Sequence, residues 1–187
     1  MIYIVDFGST KTKKIARCLN EIGVNSTTII WYDSETIDWD NAKGIILSGS
    51  PLLITKTNID NHLHRYSFLT HKHIPILGIC FGHQLLGILF GATIFKGPEI
   101  RQKTEITIKQ KNILFEGFEE KTIMQEDHTE GITLPENFIH LAYSDTYENE
   151  AMKHNTLNLF GVQFHPEDSG QNGLRILTNF SKLTYLK

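Results

Sequence analysis

The sequence predicts an α/β fold: a mostly parallel central sheet flanked by helices on both faces, with additional antiparallel strands in the second half. Two observations carry this. Through the first half, short apolar runs rich in β-branched residues alternate with helical patterns, and the runs lack in–out alternation, as strands covered on both faces do. Past about residue 100 the pattern changes, and Thr104-Glu105-Ile106-Thr107-Ile108-Lys109 alternates as a strand with one wet face does. The 187 residues, 40% of them hydrophobic, suffice for one sizeable core and are too few for two ordinary domains, so residues 1–187 read as a single domain.

Ile2-Tyr3-Ile4-Val5-Asp6 reads as a strand stopped by the turn signal Phe7-Gly8-Ser9-Thr10. A helix follows, with Ile15, Ala16, Leu19 and Ile22 on one face, Lys11, Lys13, Lys14 and Arg17 on the other, and Gly23 as its stop. Thr27–Trp31 returns as a strand, and a polar, acidic stretch separates it from the apolar strand Gly44–Leu47, which runs into the tight loop Ser48-Gly49-Ser50-Pro51. Ile59–His71 contains a helix, Pro75–Ile79 is a strand, and Gly82–Phe90 is a helix closed by Gly91. Phe138–Tyr143 and Leu157–Phe164 are further strands. A last helix from about Gly173 to Leu183 turns Leu174, Ile176, Leu177, Phe180 and Leu183 toward the sheet.

A formal charge of −3, from 18 basic and 21 acidic residues, offers no cationic field for nucleic acid or an anionic membrane. No run approaches the roughly 18 apolar residues of a membrane span, and Met1–Asp6 lacks the basic start and long apolar stretch of a secretory signal. The expected location is cytoplasmic, where Cys18 and Cys80 stay reduced. Cys18 lies in an amphipathic helix and reads as packing. His62 with His64, and His71 with His73, stand two apart on a helix and its end, a spacing that splits side chains onto different faces; they read as hydrated surface, and no metal site is expected.

The chemistry concentrates in Gly78-Ile79-Cys80-Phe81-Gly82-His83-Gln84, a cysteine between two glycines where a buried strand turns into a helix. Such an elbow holds the nucleophile in an uncommon backbone conformation, and glycines two residues either side remove side chains that would strike neighbouring backbone. The helix N-terminus favours the thiolate. A cysteine nucleophile needs a base held by a third group. Gly161-Val162-Gln163-Phe164-His165-Pro166-Glu167 offers both, because in an extended stretch residues two apart face the same way and Glu167 then backs the imidazole of His165.

Gly-Ile-Cys-Phe-Gly-His-Gln followed by Gln-Phe-His-Pro-Glu resembles the class I glutamine amidotransferases, whose fold is flavodoxin-like. The resemblance implies Cys80, His165 and Glu167 as a catalytic triad that hydrolyses glutamine through a cysteinyl thioester. It implies an oxyanion hole made by the backbone N–H of Phe81 and of the Gly49-Ser50 loop, and a substrate-binding role for Gln84. The segment Asp127-His128-Thr129-Glu130 stands where the family binds substrate with Ser-His, glycine and an acid, so Asp127, His128 and Thr129 are also candidates; an unpaired Asp127 would repel the glutamine carboxylate. His83 reads as packing. Ser50 replaces a usual glycine, and a residue with a Cβ resists positive φ by roughly 1 kcal/mol. That raises the expectation of a mis-set oxyanion hole, low basal activity and a loop reset by a partner.

Ile4-Val5-Asp6-Phe7-Gly8-Ser9, Glu150-Ala151-Met152-Lys153-His154 and Leu177-Thr178-Asn179-Phe180 narrow the resemblance to glutaminases of the GMP synthase type, at the length of a stand-alone subunit. That implies an ATP-pyrophosphatase synthetase partner holding ATP and Mg²⁺, and no cofactor in this chain, which lacks a phosphate-cradling glycine loop. Related alternatives are glutaminases for another acceptor, of the anthranilate or aminodeoxychorismate type, γ-glutamyl hydrolases or peptidases, and an inactive regulatory module.

Overall fold

The computed structural model describes residues 1–185, the side chains at 35 and 36 excepted. The first half runs β1 (Ile2–Asp6), α1 (Thr12–Glu21), β2 (Ser26–Ile30), β3 (Gly44–Leu47), α2 (Asp60–Tyr66), β4 (Ile76–Ile79) and α3 (Phe81–Leu89). The second runs β5 (Ile94–Ile100), β6 (Lys103–Ile108), β7 (Lys121–Gln125), β8 (His128–Ile132), β9 (Phe138–Tyr143), β10 (Ala151–His154), β11 (Leu159–Val162) and α4 (Gly170–Leu183). Nine strands form one sheet in the order β2-β1-β3-β4-β11-β10-β9-β6-β7, while β5 and β8 pair separately. From β2 to β11 the pairings are parallel; from β11 to β7 they are antiparallel.

Every residue of β3, β4 and β11 is buried, which is why their sequences run apolar without alternation. On one face α1 and α4 pack Ile15, Leu19, Ile176 and Phe180 over Ile2, Ile4, Leu77 and Ile79. On the other, Tyr66 of α2 and Leu85 of α3 close over Val5, Ile45 and Leu47. Gly23 ends α1 at φ 74° and Gly91 follows α3 at φ 88°, both in the left-handed region glycine enters without strain. Among the described residues no helix is long and apolar enough to cross a membrane.

The helix expected within Ile59–His71 is α2, and a tighter 3₁₀ turn, Ser67–His71, follows it, where Ser67 Oγ donates to His64 O (2.8 Å) and Thr70 Oγ1 to Ser67 O (2.8 Å), diverting carbonyls from the ladder. His62 is not hydrated surface: it is buried and stacks on the Trp31 ring at 4.0 Å. Strands β5, β7, β8 and β10 were not foreseen; β5 contains Gly97 and Pro98, which sit at a register shift between Lys96 and Ile100.

Candidate active site

Because β1, β3, β4 and β11 are parallel neighbours, their C-terminal ends lie along one edge of the sheet, and the segments leaving them converge there. Cys80 stands between β4 and α3 at φ 51°, ψ −106°, one of two non-glycine residues with positive φ among the described residues. That conformation costs about 1–3 kcal/mol and is held by the surrounding structure. Cys80 N–H donates to Val162 O (2.9 Å), Gln84 N–H to Cys80 O (3.0 Å) and Gly82 N–H to Ser48 O (3.1 Å). A Cβ on Gly78 would lie 2.5 Å from the Gly82 carbonyl oxygen, and one on Gly82 would fall against the Leu47 carbonyl. The two glycines flanking the elbow are therefore steric requirements.

His165 follows β11 and is fixed by its backbone, its N–H donating to Gln125 O (2.8 Å) and its carbonyl accepting from Ser169 Oγ (2.7 Å). Its Nδ1 lies 2.7 Å from Glu167 Oε1, both side chains almost wholly buried. The route differs from the one expected: Glu167 lies in a 3₁₀ turn, Pro166–Asp168, and the turn curls the carboxylate back under the ring instead of extending it along a strand. On the other side the imidazole is within hydrogen-bonding reach of the Cys80 sulfur. Burial works against the charged ring, yet the Cys80 sulfur and the Glu167 carboxylate outweigh it and raise the His165 pKa to about 10. The ring held between the Cys80 sulfur and Glu167 therefore favours its imidazolium form.

The loop after β3 is pinned from several sides. Ser48 Oγ accepts from Phe7 N–H (3.0 Å) and donates to Gly49 O (2.8 Å), and Ser50 Oγ donates to Phe7 O (2.8 Å) and accepts from Leu52 N–H (3.2 Å). Ser50 does not adopt positive φ, so the strain expected of its Cβ is absent. The glycine that matters is Gly49, where a Cβ would lie 3.2 Å from His165 Cε1 and 3.7 Å from Cys80 Cβ. Phe81 opens α3, so its N–H precedes the intrahelical ladder beside the thiol.

Beside the triad lies a cavity of about 290 Å³, whose lining includes Cys80, Gln84, Asp127, His128, Thr129 and His165. Gln84 is buried, with Nε2 donating to Glu130 O (2.9 Å) and Gln163 Oε1 (3.1 Å), so both its donors are engaged by the protein. Asp127 is paired: Lys11 Nζ lies 2.7 Å from Oδ2 and Arg101 Nε 3.6 Å from Oδ1. Partial burial opposes ionisation of Asp127, but the Lys11 ammonium holds its carboxyl below the usual carboxylate range. His128 is buried and its Nδ1 lies 2.9 Å from Glu130 O. Thr129 Oγ1 is buried with no hydrogen-bond partner among the described residues. His83 is wholly buried behind the elbow, and burial, with the nearby His128, lowers its pKa to about 3, so it stays a neutral packing group.

Lys11, Arg101 and Glu130 were missed from the sequence. Glu130 accepts from Ile54 N–H (2.7 Å), Thr55 N–H (3.0 Å) and Thr55 Oγ1, tying the β5–β8 pair to the loop after β3. Lys11 carried no local signal beyond its place on a basic helix face, because its partner lies 116 residues away.

Fold and site together define an α/β protein with a thiol–imidazole–carboxylate arrangement at the carboxyl edge of its parallel strands. The model of the family "Glutamine amidotransferase class-I" matches residues 3–183, and the chain belongs to that family. It is 40% identical to the glutamine-hydrolyzing GMP synthase subunit of Pyrococcus abyssi over 98% of each chain. It is 35% identical to a Helicobacter pylori GMP synthase, matching 98% of this chain and 36% of that longer protein. A solved structure of a GMP synthase subunit protein from Thermoplasma acidophilum superposes with a TM-score of 0.86 at 31% identity, covering 98% of this chain and 92% of that one. A glutamine amidotransferase from Thermotoga maritima shares the fold, with a TM-score of 0.80 at 18% identity over 97% and 82% of the two chains.

Proposed function

We propose that this chain is the glutamine-hydrolysing subunit of a two-subunit GMP synthase, releasing ammonia for a separate ATP-pyrophosphatase synthetase that aminates xanthosine monophosphate. One observation carries the glutaminase part: Cys80 in a strained elbow with His165 beside it and Glu167 2.7 Å behind the ring. The likeness to glutamine-hydrolyzing GMP synthase subunits over nearly the full length supports the choice of acceptor.

The Cys80 thiolate attacks the side-chain amide carbon of glutamine, and His165 protonates the nitrogen as the C–N bond breaks and ammonia leaves. His165, now neutral, takes a proton from water, whose oxygen attacks the glutamyl thioester; the C–S bond breaks and glutamate departs. Glu167 orients the ring and stabilises its charged form. Both tetrahedral oxyanions are held by the N–H of Phe81 and by the Gly49-Ser50 segment. Gly49 O is tied to Ser48 Oγ, and the planar trans peptide then turns the Ser50 N–H the opposite way, which supports it as the donor. Gln84, Asp127 and Thr129 border the end of the cavity that receives the amino-acid part of glutamine, with Lys11 neutralising Asp127. His128 supports that segment from within. Glutamine hydrolysis itself uses no cofactor in this chain; ATP and Mg²⁺ belong to the synthetase.

The test is reconstitution with an ATP-pyrophosphatase synthetase. The pair should form GMP from xanthosine monophosphate with either glutamine or ammonia, and Cys80→Ser should lose only the glutamine-driven reaction. A pair that works with ammonia but never with glutamine refutes the reading.

A further inference from the structure

Behind the β7–β8 turn lies a second group of side chains that the glutaminase chemistry does not use. Glu126 and His128 flank Asp127 in that turn, and Glu150 immediately precedes β10. All three are buried, at 0%, 7% and 0% exposure, and one ligand-type atom from each lies within 4.8 Å of the others.

Their hydrogen bonding does not close. A carbonyl oxygen only accepts, so the 2.9 Å contact between His128 Nδ1 and Glu130 O puts the proton on Nδ1 and leaves Nε2 of the neutral ring a bare lone pair. That nitrogen sits 2.9 Å from Glu126 Oε2 without hydrogen-bonding alignment. Both oxygens of Glu126 and Oε2 of Glu150 find no donor among the described residues; only Glu150 Oε1 is satisfied, by Ser144 Oγ at 2.7 Å. One lone-pair atom from each of the three residues thus meets the others in a buried space with no aligned donor between them, a costly arrangement. Glu126 and Glu150 are within hydrogen-bonding reach of each other, so one shared proton relieves that contact. It leaves His128 Nε2 facing a carboxylate oxygen.

We propose that Glu126, His128 and Glu150 bind one divalent cation of the Zn²⁺ type. A single ion takes one lone pair from each of the three residues at once. The donor set suits it, since one imidazole and two carboxylates match zinc better than all-oxygen Ca²⁺ or Mg²⁺ sites. Ligand atoms about 2.0–2.2 Å from one tetrahedral ion stand about 3.3–3.6 Å apart, between the 2.9 Å of Nε2 and Oε2 and the 4.8 Å that encloses all three ligand atoms. The Nδ1–H on a backbone carbonyl is the outer contact that orients ligating histidines. Glu126 follows Gln125, whose carbonyl holds His165 N–H, so the ion fastens the wall carrying Asp127 and Thr129 to the start of β10. Its role is structural, and no step of glutamine hydrolysis passes through it.

The test uses a Cys80→Ser background, so that the active-site thiol does not compete for zinc. Chelator-treated protein is titrated with Zn²⁺ by equilibrium dialysis and elemental analysis, and its thermal unfolding is followed with and without zinc. The expected result is one zinc per chain with a Kd below about 1 µM and a Tm raised by several degrees. Adding Glu126→Gln should weaken binding at least 100-fold, and its zinc-free Tm, equal to or above that of the parent, shows that it still folds. Absence of stoichiometric binding at 10 µM zinc, or equal binding by the Glu126→Gln protein, overturns the proposal and assigns the cluster to protons alone.

Discussion

Glu167 shows how one carboxylate sets the chemistry of its neighbour. Its Oε1 meets His165 Nδ1 at 2.7 Å in a site almost closed to water, so Glu167→Gln preserves shape while removing the charge that favours imidazolium. The expected loss in kcat for ammonia release is about 10²- to 10⁴-fold, with KM for glutamine changed little. The same environment makes stability depend on pH. The folded His165 pKa, about 10, lies above its ordinary 6.5, so its contribution is fully present below about pH 6.5 and lost as pH rises through about 10. The gap in urea midpoint between wild type and His165→Gln should therefore shrink from pH 7 toward pH 10.5. At Ser50, the sequence suggested that glycine would improve the oxyanion hole; the structure reverses the sign. Ser50→Gly removes the Oγ bonds to Phe7 O and Leu52 N–H, so steady-state assay of the isolated chain should show lower activity, by about 3- to 10-fold. A gain in activity would restore the idea of a mis-set loop.

At the scale of elements, the cavity mouth is closed by charges from separate segments. Lys11, between β1 and α1, reaches Asp127 in the β7–β8 turn, and Lys11 and Lys14 both meet Asp168 at the end of the turn that carries Glu167. Lys11→Met leaves Asp127 with only the longer contact to the exposed Arg101, restoring the carboxylate repulsion read from the sequence. KM for glutamine should rise about 10-fold with kcat nearly unchanged, and adding Asp127→Asn should return most of that loss. Additive effects in this double-mutant cycle would show that the pair does not act as a unit. Elements with strong local pattern were legible in sequence: β1, β3, β4, α1, α3 and α4 have one period each and clear stops. Strands β7, β8 and β10 were not, because Thr-Ile-Met-Gln and His-Thr-Glu-Gly-Ile carry little periodicity of their own and become strands through their cross-strand partners.

For the whole molecule, the last helix supports the first chemistry. Gly173 of α4 lies so close to the Pro166 carbonyl that a Cβ cannot fit, and Pro166 begins the turn that carries Glu167. Gly173→Ala should push the helix and the turn apart, costing about 1–3 kcal/mol in chemical denaturation and lowering kcat as well. A substitution that lowers only stability would uncouple α4 from the site. The nine-stranded sheet joins five parallel strands, which build the catalytic edge, to an antiparallel extension whose β7 supplies the contact to His165.

The sequence by itself determined the α/β class, the elbow, and the triad of Cys80, His165 and Glu167, because these rest on short-range rules: apolar period, glycine at crowded turns, and residue types that only one chemistry combines. It left open the partner of Asp127 and the anchoring role of Glu130, and it misread the burial of His62 and the geometry at Ser50. Those were decided only by the tertiary structure. Charge pairing, burial and backbone angle depend on which distant segments meet, and Lys11 with Asp127, or Gln125 with His165, meet only when the sheet has assembled.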